Sequence, residues 1–290
     1  MSTNGSVLLQ ADDLVAGFGS NTVLHGVSFH VRQGEIAAIL GLNGAGKSVT
    51  LKVVGGIVPA RSGRVTLAGN DITSIAAEER VTAGLAHVPQ GRQVFPELNV
   101  EQNLRLGAYV LRRRERSRYD EVLGSLFERF PILKERRTQL AGSLSGGQQA
   151  MLAIARALIS EPKLVIVDEA SAGLAPLMVN EVFEVLKEVN ESGVTILMVE
   201  QNVTFTLRIA DRAHIMQSGQ IVYEGDVPSL DRDRIAGYLG VGDLLGSRVS
   251  AAAAARATKP GTTKSPARKT TAKKRTAKKS SKRTTSRKEK

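Results

Sequence analysis

The stretch Gly41-Leu42-Asn43-Gly44-Ala45-Gly46-Lys47-Ser48 fits the pattern G-x-x-x-x-G-K-[ST]. Its three glycines let the backbone wrap a phosphate chain, so that successive N–H groups and a helix N-terminus point at the anion. Lys47 would reach the terminal phosphates, and the Ser48 hydroxyl would take a place on Mg²⁺. The pattern has physical meaning only between a strand and a helix. The apolar run Ile36–Leu40 precedes it, and the helix-compatible run Val49–Val54 follows. The expected ligand is a nucleoside triphosphate.

A second stretch, Leu164-Val165-Ile166-Val167-Asp168-Glu169, carries two acids at the end of an apolar run. A central strand of this kind delivers carboxylates to its C-terminal edge, where open α/β sheets bind ligands. Asp168 would hold Mg²⁺, through water and on the side opposite Ser48, and Glu169 would polarise an attacking water.

The third stretch is Leu144-Ser145-Gly146-Gly147-Gln148-Gln149, ahead of the helical run Ala150–Leu158. A serine and two glycines at a helix start make another anion-binding surface, although the same string also reads as an ordinary N-cap. It lies 23 residues before Asp168, and one nucleotide does not need two phosphate cradles. Two subunits placed head to tail, each offering this surface to the other's nucleotide, would use both.

The elements that must position these residues follow from periodicity. Short strands are expected at Val7–Gln10, Thr22–Leu24 and Val27–Val31, and a hairpin around Val65–Leu67 and Gly69-Asn70. Leu85–Val88 reads as a parallel strand ended by Pro89. From Val100 to Leu158 the pattern is helical, with Val122, Leu126, Phe127 and Phe130 at three-to-four spacing. Lys163–Val167 is an unbroken apolar strand. Glu181–Asn190 is an amphipathic helix with Val182, Val185, Leu186 and Val189 inward. Strands then follow at Thr195–Val199, Ala213–Met216 and Gln220–Tyr223. This alternation around a phosphate loop predicts an α/β fold with a parallel sheet, interrupted by a helical insertion.

The 290 residues carry a net charge of +12, but 15 of the 40 Lys and Arg stand in residues 251–290 against the single Glu289. The rest of the chain is close to charge balance. After Val249 no Leu, Ile, Val or aromatic residue occurs, so this tail cannot offset its ordering entropy by burial, and disorder is expected over 250–290. The tail has three readings: a solvated extension, a contact with the anionic cytoplasmic leaflet, or a nucleic-acid binder. Cysteine is absent, which excludes disulfides and thiolate chemistry, and the four His residues show no metal-ligand spacing. No apolar run approaches bilayer length, and the N-terminal residues lack a secretory pattern. The chain is therefore expected to be intracellular and not to cross a membrane itself.

With the motifs in this order and spacing, residues 7–240 resemble the ATP-binding subunits of ABC transporters. The matching residues are Gly41–Ser48 (Walker A), Gln90 (Q-loop), Leu144–Gln148 (signature) and Leu164–Glu169 (Walker B). The resemblance implies an α/β P-loop NTPase core with an antiparallel β subdomain and a helical insertion at about 96–158. It implies binding and hydrolysis of ATP with Mg²⁺. Glu169, Gln201 and Lys47 would be catalytic, and Phe18 would stack on adenine. Gly41, Leu42, Asn43, Gly44, Ala45, Gly46, Lys47, Ser48 and Gln90 would hold the nucleotide, with Ser145, Gly146, Gly147 and Gln148 acting from a partner. Ser48, Gln90 and Asp168 would hold Mg²⁺.

The segments Val88–Pro96, Ala172–Pro176 and Val199–Asn202 are similar to the second ATPase of branched-chain amino acid importers, and ATPases of urea and short-amide importers are similar too. The implied partners are a second ATPase subunit, identical or related, two membrane permeases and, indirectly, an extracytoplasmic solute-binding protein. The implied place is the cytoplasmic face of the membrane. A soluble ATPase acting on nucleic acid or ribosomes through the basic tail is the alternative. Three positions depart from the wider family pattern: Gln201 stands where a His is usual, Ala175 where an Asp is usual, and Ala170 where a Pro is common.

Overall fold

The computed structural model describes residues 5–109 and 116–239; the tail, its expected disorder and its lipid contact lie outside them. Among the described residues, ten strands form two sheets. Strands β1 (Val7–Phe18), β2 (Asn21–Arg32), β4 (Ser62–Leu67) and β5 (Asn70–Asp71) make an antiparallel sheet in the order β2-β1-β4-β5. The second sheet is built from β3 (Ile36–Leu40), β6 (Leu85–Val88), β7 (Leu164–Asp168), β8 (Thr195–Glu200), β9 (Arg212–Gln217) and β10 (Gln220–Asp226). Its order is β10-β9-β3-β8-β7-β6, parallel throughout except that β10 runs antiparallel to β9.

The continuous apolar runs of the parallel strands are explained by burial on both faces. Along β3, β7 and β8, Ala38, Val165, Val167, Ile196 and Met198 point into one cluster. Their alternating neighbours Ala37, Ile39, Ile166, Leu197 and Val199 point into the other. The first cluster is closed by helices α6 (Gly146–Leu158) and α7 (Pro176–Glu191), through residues such as Leu152, Ile154, Val182 and Leu186. The second is closed by α1 (Lys47–Val54) and the antiparallel sheet, through Leu51, Val54, Leu9, Leu14 and Val27.

Between β6 and β7 the described residues run through α3 (Val100–Gly107), α4 (Arg116–Arg129), α5 (Pro131–Glu135), a 3-10 turn at Ala141–Ser143 and α6. Val122, Leu126, Phe127 and Phe130 are buried, as their spacing predicts. Asn99 caps α3 reciprocally with Gln102. The buried Asn103 donates to the carbonyls of Phe95, Leu98 and Asn99 and accepts the Phe95 N–H. That one side chain pins the segment leading from β6 into the helices. The remaining helices are α2 (Ala77–Ala83), α8 (Val203–Ile209) and α9 (Arg232–Leu239).

Two expectations need correction. Residues 7–31 do not form three short strands; they form a hairpin of two twelve-residue strands. The breaks in alternation that looked like turns are bulges, where pairing slips between Ala11 and Leu14 and again between Ala16 and Gly17. At the first slip Asp13 adopts φ +48°, and its N–H is taken by the Ser28 hydroxyl at 2.8 Å. The helix expected from Glu181 begins at Pro176 instead. Proline at the first helical position has no N–H to leave unpaired and already holds a helical φ. Val182, Leu186 and Val189 are buried as expected, with Val185 partly so.

Candidate active site

The chain leaves the fully buried β3 at Leu40, turns through residues 41–46 and enters α1 at Lys47. Two glycines of the turn are demanded by geometry. Gly46, at φ +106°, has Leu24 Cδ2 3.0 Å from where a Cβ would stand, and a Cβ on Gly41 would collide with the Met216 carbonyl. Leu42, Asn43 and Gly44 are exposed at the loop tip, while Ala45, Gly46 and Lys47 are buried. The Lys47 ammonium donates to the carbonyls of Gly41 at 3.0 Å and Leu42 at 3.1 Å. Burial lowers its pKa, against the opposing pull of the Glu169, Asp168 and Glu200 charges.

Three neighbouring parallel strands, β6, β7 and β8, end beside this loop and bring the polar groups together. The Ser48 hydroxyl donates to Asp168 Oδ1 at 2.8 Å. Asp168 ends β7 and is buried; burial raises its pKa, and the Ser48 hydrogen bond works the other way. Glu169 follows with φ +47°, a left-handed conformation that is uncommon outside glycine. Its two carboxylate oxygens are both taken: Oε2 accepts from Gln90 Nε2 and Oε1 from Gln201 Nε2, each at 2.7 Å. Gln90 stands just past the end of β6, and Gln201 just past the end of β8. The structure thus joins Gln90, Glu169 and Gln201 in one chain of hydrogen bonds, next to the Ser48–Asp168 pair.

The Ser145 turn is built differently. Ser145 is the exposed N-cap of α6: its Oγ accepts the Gln148 N–H at 3.3 Å, and its own N–H donates to Gln148 Oε1 at 3.0 Å. Gln148 therefore spends its carbonyl oxygen on the cap. Gly147 is buried against Met178, whose Sδ lies 2.5 Å from where a Cβ would be. Gly146 lies beside Arg92 and Leu174. Among the described residues, no hydrogen bond joins this turn to residues 41–48. Phe18, at the end of β1, is 53% exposed, and the turn after it is held by Arg61, which donates to the Gly19 and Asn21 carbonyls. Ala175 caps α7 without any side-chain bond, and Ala170 is buried.

Sequence reasoning gave no role to two residues that the structure draws in. Arg92 donates to the Ala172 carbonyl at 3.0 Å, linking the segment after Gln90 to the turn after Glu169. Glu200, 1% exposed at the end of β8, accepts from both the Ser171 N–H at 3.1 Å and the Ser171 hydroxyl at 2.7 Å. Burial pushes its carboxyl up to about 7, against the Ser171 bonds. A readable signal existed: Glu200 closes an apolar strand next to Gln201 just as Asp168 closes its own next to Glu169. A cleft of about 480 Å³ lined by Arg118, Leu126, Arg129, Glu161 and Ser192 shares no residue with this site. It carries no part of the chemistry argued from residues 41–48 and 168–169. Among the described residues no helix is long and apolar enough to cross a membrane.

Loop, carboxylates and strand order are those of a nucleotide-hydrolysing cassette, and comparison with known proteins agrees. Residues 24–172 match the model of the ABC transporter family. The high-affinity branched-chain amino acid transport ATP-binding protein BraG of Pseudomonas aeruginosa is 40% identical over 215 residues, which is 74% of this chain and 91% of BraG. The lipopolysaccharide export system ATP-binding protein LptB of Escherichia coli is 32% identical over 225 residues, 78% of this chain and 93% of LptB. The crystal structure of a nucleotide-free ATP-binding cassette from an ABC transporter superposes with a TM-score of 0.71 at 30% identity, covering 81% of this chain and 96% of that one. The chain belongs to the ABC transporter family and is one of its ATP-hydrolysing subunits.

Proposed function

We propose that the chain powers import of branched-chain amino acids, or of a related small amide or urea solute, through partner permeases. The solute class is supported by the 40% identity along nearly all of BraG, which exceeds the 32% to an exporter's ATPase. The hydrolytic role is carried by one observation: the Glu169 carboxylate, at the end of a central strand, is held on both oxygens by Gln90 and Gln201.

In this reading the Gly41–Ser48 backbone and the Lys47 ammonium receive the phosphates of ATP, and Phe18 stacks on the adenine. For Lys47 the exchange is favourable, since it trades the Gly41 and Leu42 carbonyls for anionic oxygens in a buried place. Ser48 and Asp168 form a pair of hard oxygen donors, 2.8 Å apart, of the kind that suits Mg²⁺, and the Gln90 amide oxygen would complete the set. When bound, the ion supplies positive charge that offsets the charge on the transferring phosphoryl. Glu169 orients the attacking water, and Gln201 donates toward the γ-phosphate without titrating near neutral pH. Ser145, Gly146, Gly147 and Gln148 of a second ATPase subunit, a copy or a related chain, close over that phosphate and exclude bulk water.

The helices between β6 and β7 are the surface for the permeases. Phe95, Leu106, Tyr109 and Leu140 in this segment are each about half exposed or more, and exposed large apolar side chains are what a docking face offers. Gln90, at the entrance to this segment, would pass the nucleotide state to the permeases. An extracytoplasmic binding protein would deliver solute to them, and the chain would lie on the cytoplasmic face of the membrane. The test is uptake of radiolabelled leucine by cells lacking the gene. The unmodified chain should restore uptake, and Lys47→Ala should not. Uptake indifferent to the chain, with its ATPase activity intact, would overturn the solute class.

A further inference from the structure

The carboxylate of Glu200 is buried beside the reaction centre yet has no part in the chemistry described above. It lies in the middle of three consecutive residues at the end of β8, each of which grips the turn after β7. The Val199 carbonyl accepts the Glu169 N–H at 2.9 Å, the Glu200 carboxylate accepts two hydrogen bonds from Ser171, and the Gln201 amide donates to the Glu169 side chain. The turn needs such a grip. Glu169 sits at φ +47°, a conformation that persists in a non-glycine residue only when the surroundings over-determine it. Ala170 between the gripped residues contributes no ring to fix the backbone. No lysine or arginine pairs with Glu200 among the described ion pairs; its carboxylate is held by the Ser171 N–H and hydroxyl, with the Gln201 backbone N–H beside them.

We infer that Glu200 is a positioning residue for hydrolysis: by holding Ser171 on both carboxylate oxygens, it fixes the turn that aims Glu169, and it acts on the rate of the chemical step without touching the nucleotide. The inference rests on the hydrolytic role of Glu169 proposed above. A carboxylate suits the task because it offers two acceptors to two donors. A glutamine keeps the bridge by accepting the Ser171 N–H and donating to the Ser171 oxygen, whereas alanine removes it.

The test is steady-state ATPase kinetics of the full chain with Glu200→Ala, Glu200→Gln, Ser171→Ala and the Glu200→Ala/Ser171→Ala double variant. Glu200→Ala should lower kcat about tenfold or more while the KM for ATP stays within about twofold. Glu200→Gln should recover most of the rate. The double variant should be no slower than Glu200→Ala alone, because both changes break the same bridge. Three results would overturn the inference: kcat of Glu200→Ala within twofold of the unmodified chain, losses that multiply in the double variant, or loss of ATP binding together with loss of rate. Glu169→Gln, assayed in parallel, separates this from the reading beneath it. If Glu169→Gln hydrolyses ATP normally, the role of Glu169 falls. If it is inactive while Glu200→Ala is active, only the positioning role falls.

Discussion

The phosphate loop and the Ser145 turn both present a helix N-terminus, yet they are held in opposite ways. The loop side is an interlocked set. Lys47 is tied to its own loop, Ser48 to Asp168, Gln90 and Gln201 to Glu169, and Glu200 to Ser171. Lys47, Asp168, Glu169 and Glu200 are buried, and five of the groups, Gln90, Asp168, Glu169, Glu200 and Gln201, stand at or just past the ends of the adjacent parallel strands β6, β7 and β8. The Ser145 turn satisfies its own backbone with a reciprocal cap, leaves Ser145 exposed, and makes no hydrogen bond to the loop. The first region is tied together within one chain, as the proposed nucleotide site requires. The second is finished as local structure and faces outward, as expected of a surface that works on another subunit's nucleotide. The comparison teaches that capping and the proposed function need not compete: Gln148 completes the cap without using the Gly146 and Gly147 N–H groups, which the proposed anion contact needs.

Substitutions can break the two regions separately. The largest effect is expected at Lys47. Lys47→Ala removes the one ammonium of the loop, and ATP affinity measured by calorimetry should fall by about a hundredfold or more, since a buried charge-assisted contact to phosphate is lost. Unchanged affinity would refute the loop as the nucleotide site. Ser145→Arg should act in the other sense. It fills the outward face of the turn, so hydrolysis should fall about a hundredfold while ATP affinity of the same chain stays within about twofold. A parallel loss of affinity would show that the turn serves the nucleotide of its own chain.

Phe18 sharpens the loop side. Replacing its exposed ring with Ala should weaken ATP by about 1–3 kcal/mol, the usual worth of stacking an aromatic on a base, and should affect GTP similarly because stacking is tolerant of base identity. No change for either nucleotide would make Phe18 a surface residue.

The last effect concerns stability rather than activity, in the sheet beneath the loop. His87 on β6 has its Nε2 enclosed without a hydrogen-bond partner, and its pKa is lowered to about 4, first by burial and then by the Lys52 charge. The folded chain thus prefers neutral imidazole. Its contribution to stability is complete above pH 6.5 and is lost as the pH falls from 6.5 toward about 4. In that window His87→Leu should remove up to about 1.4 kcal/mol per pH unit of the acid slope in urea unfolding. An unchanged slope would place the acid sensitivity elsewhere.

What the sequence disclosed, and what it hid, follows the same physical division. Gly41–Ser48 and Asp168-Glu169 are legible because the chemistry of each is written in consecutive residues at a strand end. Ser145–Gln148 is legible for the same reason as a cap. The apolar runs of β3, β7 and β8 are equally plain, because strands buried on both faces need no alternation. The long hairpin was hidden by its bulges, which imitate turns when only one strand is read. The start of α7 was hidden because its first turn, from Pro176, carries no apolar periodicity and a proline reads as a break unless it stands at the first helical position. Contacts across the chain left no local trace: Glu200 meets Ser171 from 29 residues away, and Arg92 meets Ala172 from 80. Such pairs become visible only once the strand order places β7 between β6 and β8.

The central claim is that a complete hydrolytic site takes its loop from one subunit and its Ser145 turn from another. The most direct test mixes purified Lys47→Ala chains with Ser145→Arg chains, under conditions in which the unmodified chain hydrolyses ATP. Each variant alone should be nearly inactive. A mixed pair contains one site with both defects and one with none, so hydrolysis should reappear on mixing, toward a quarter of the unmodified rate if pairing is random and the intact site turns over alone. Mixtures that stay as inactive as their parents would contradict the claim.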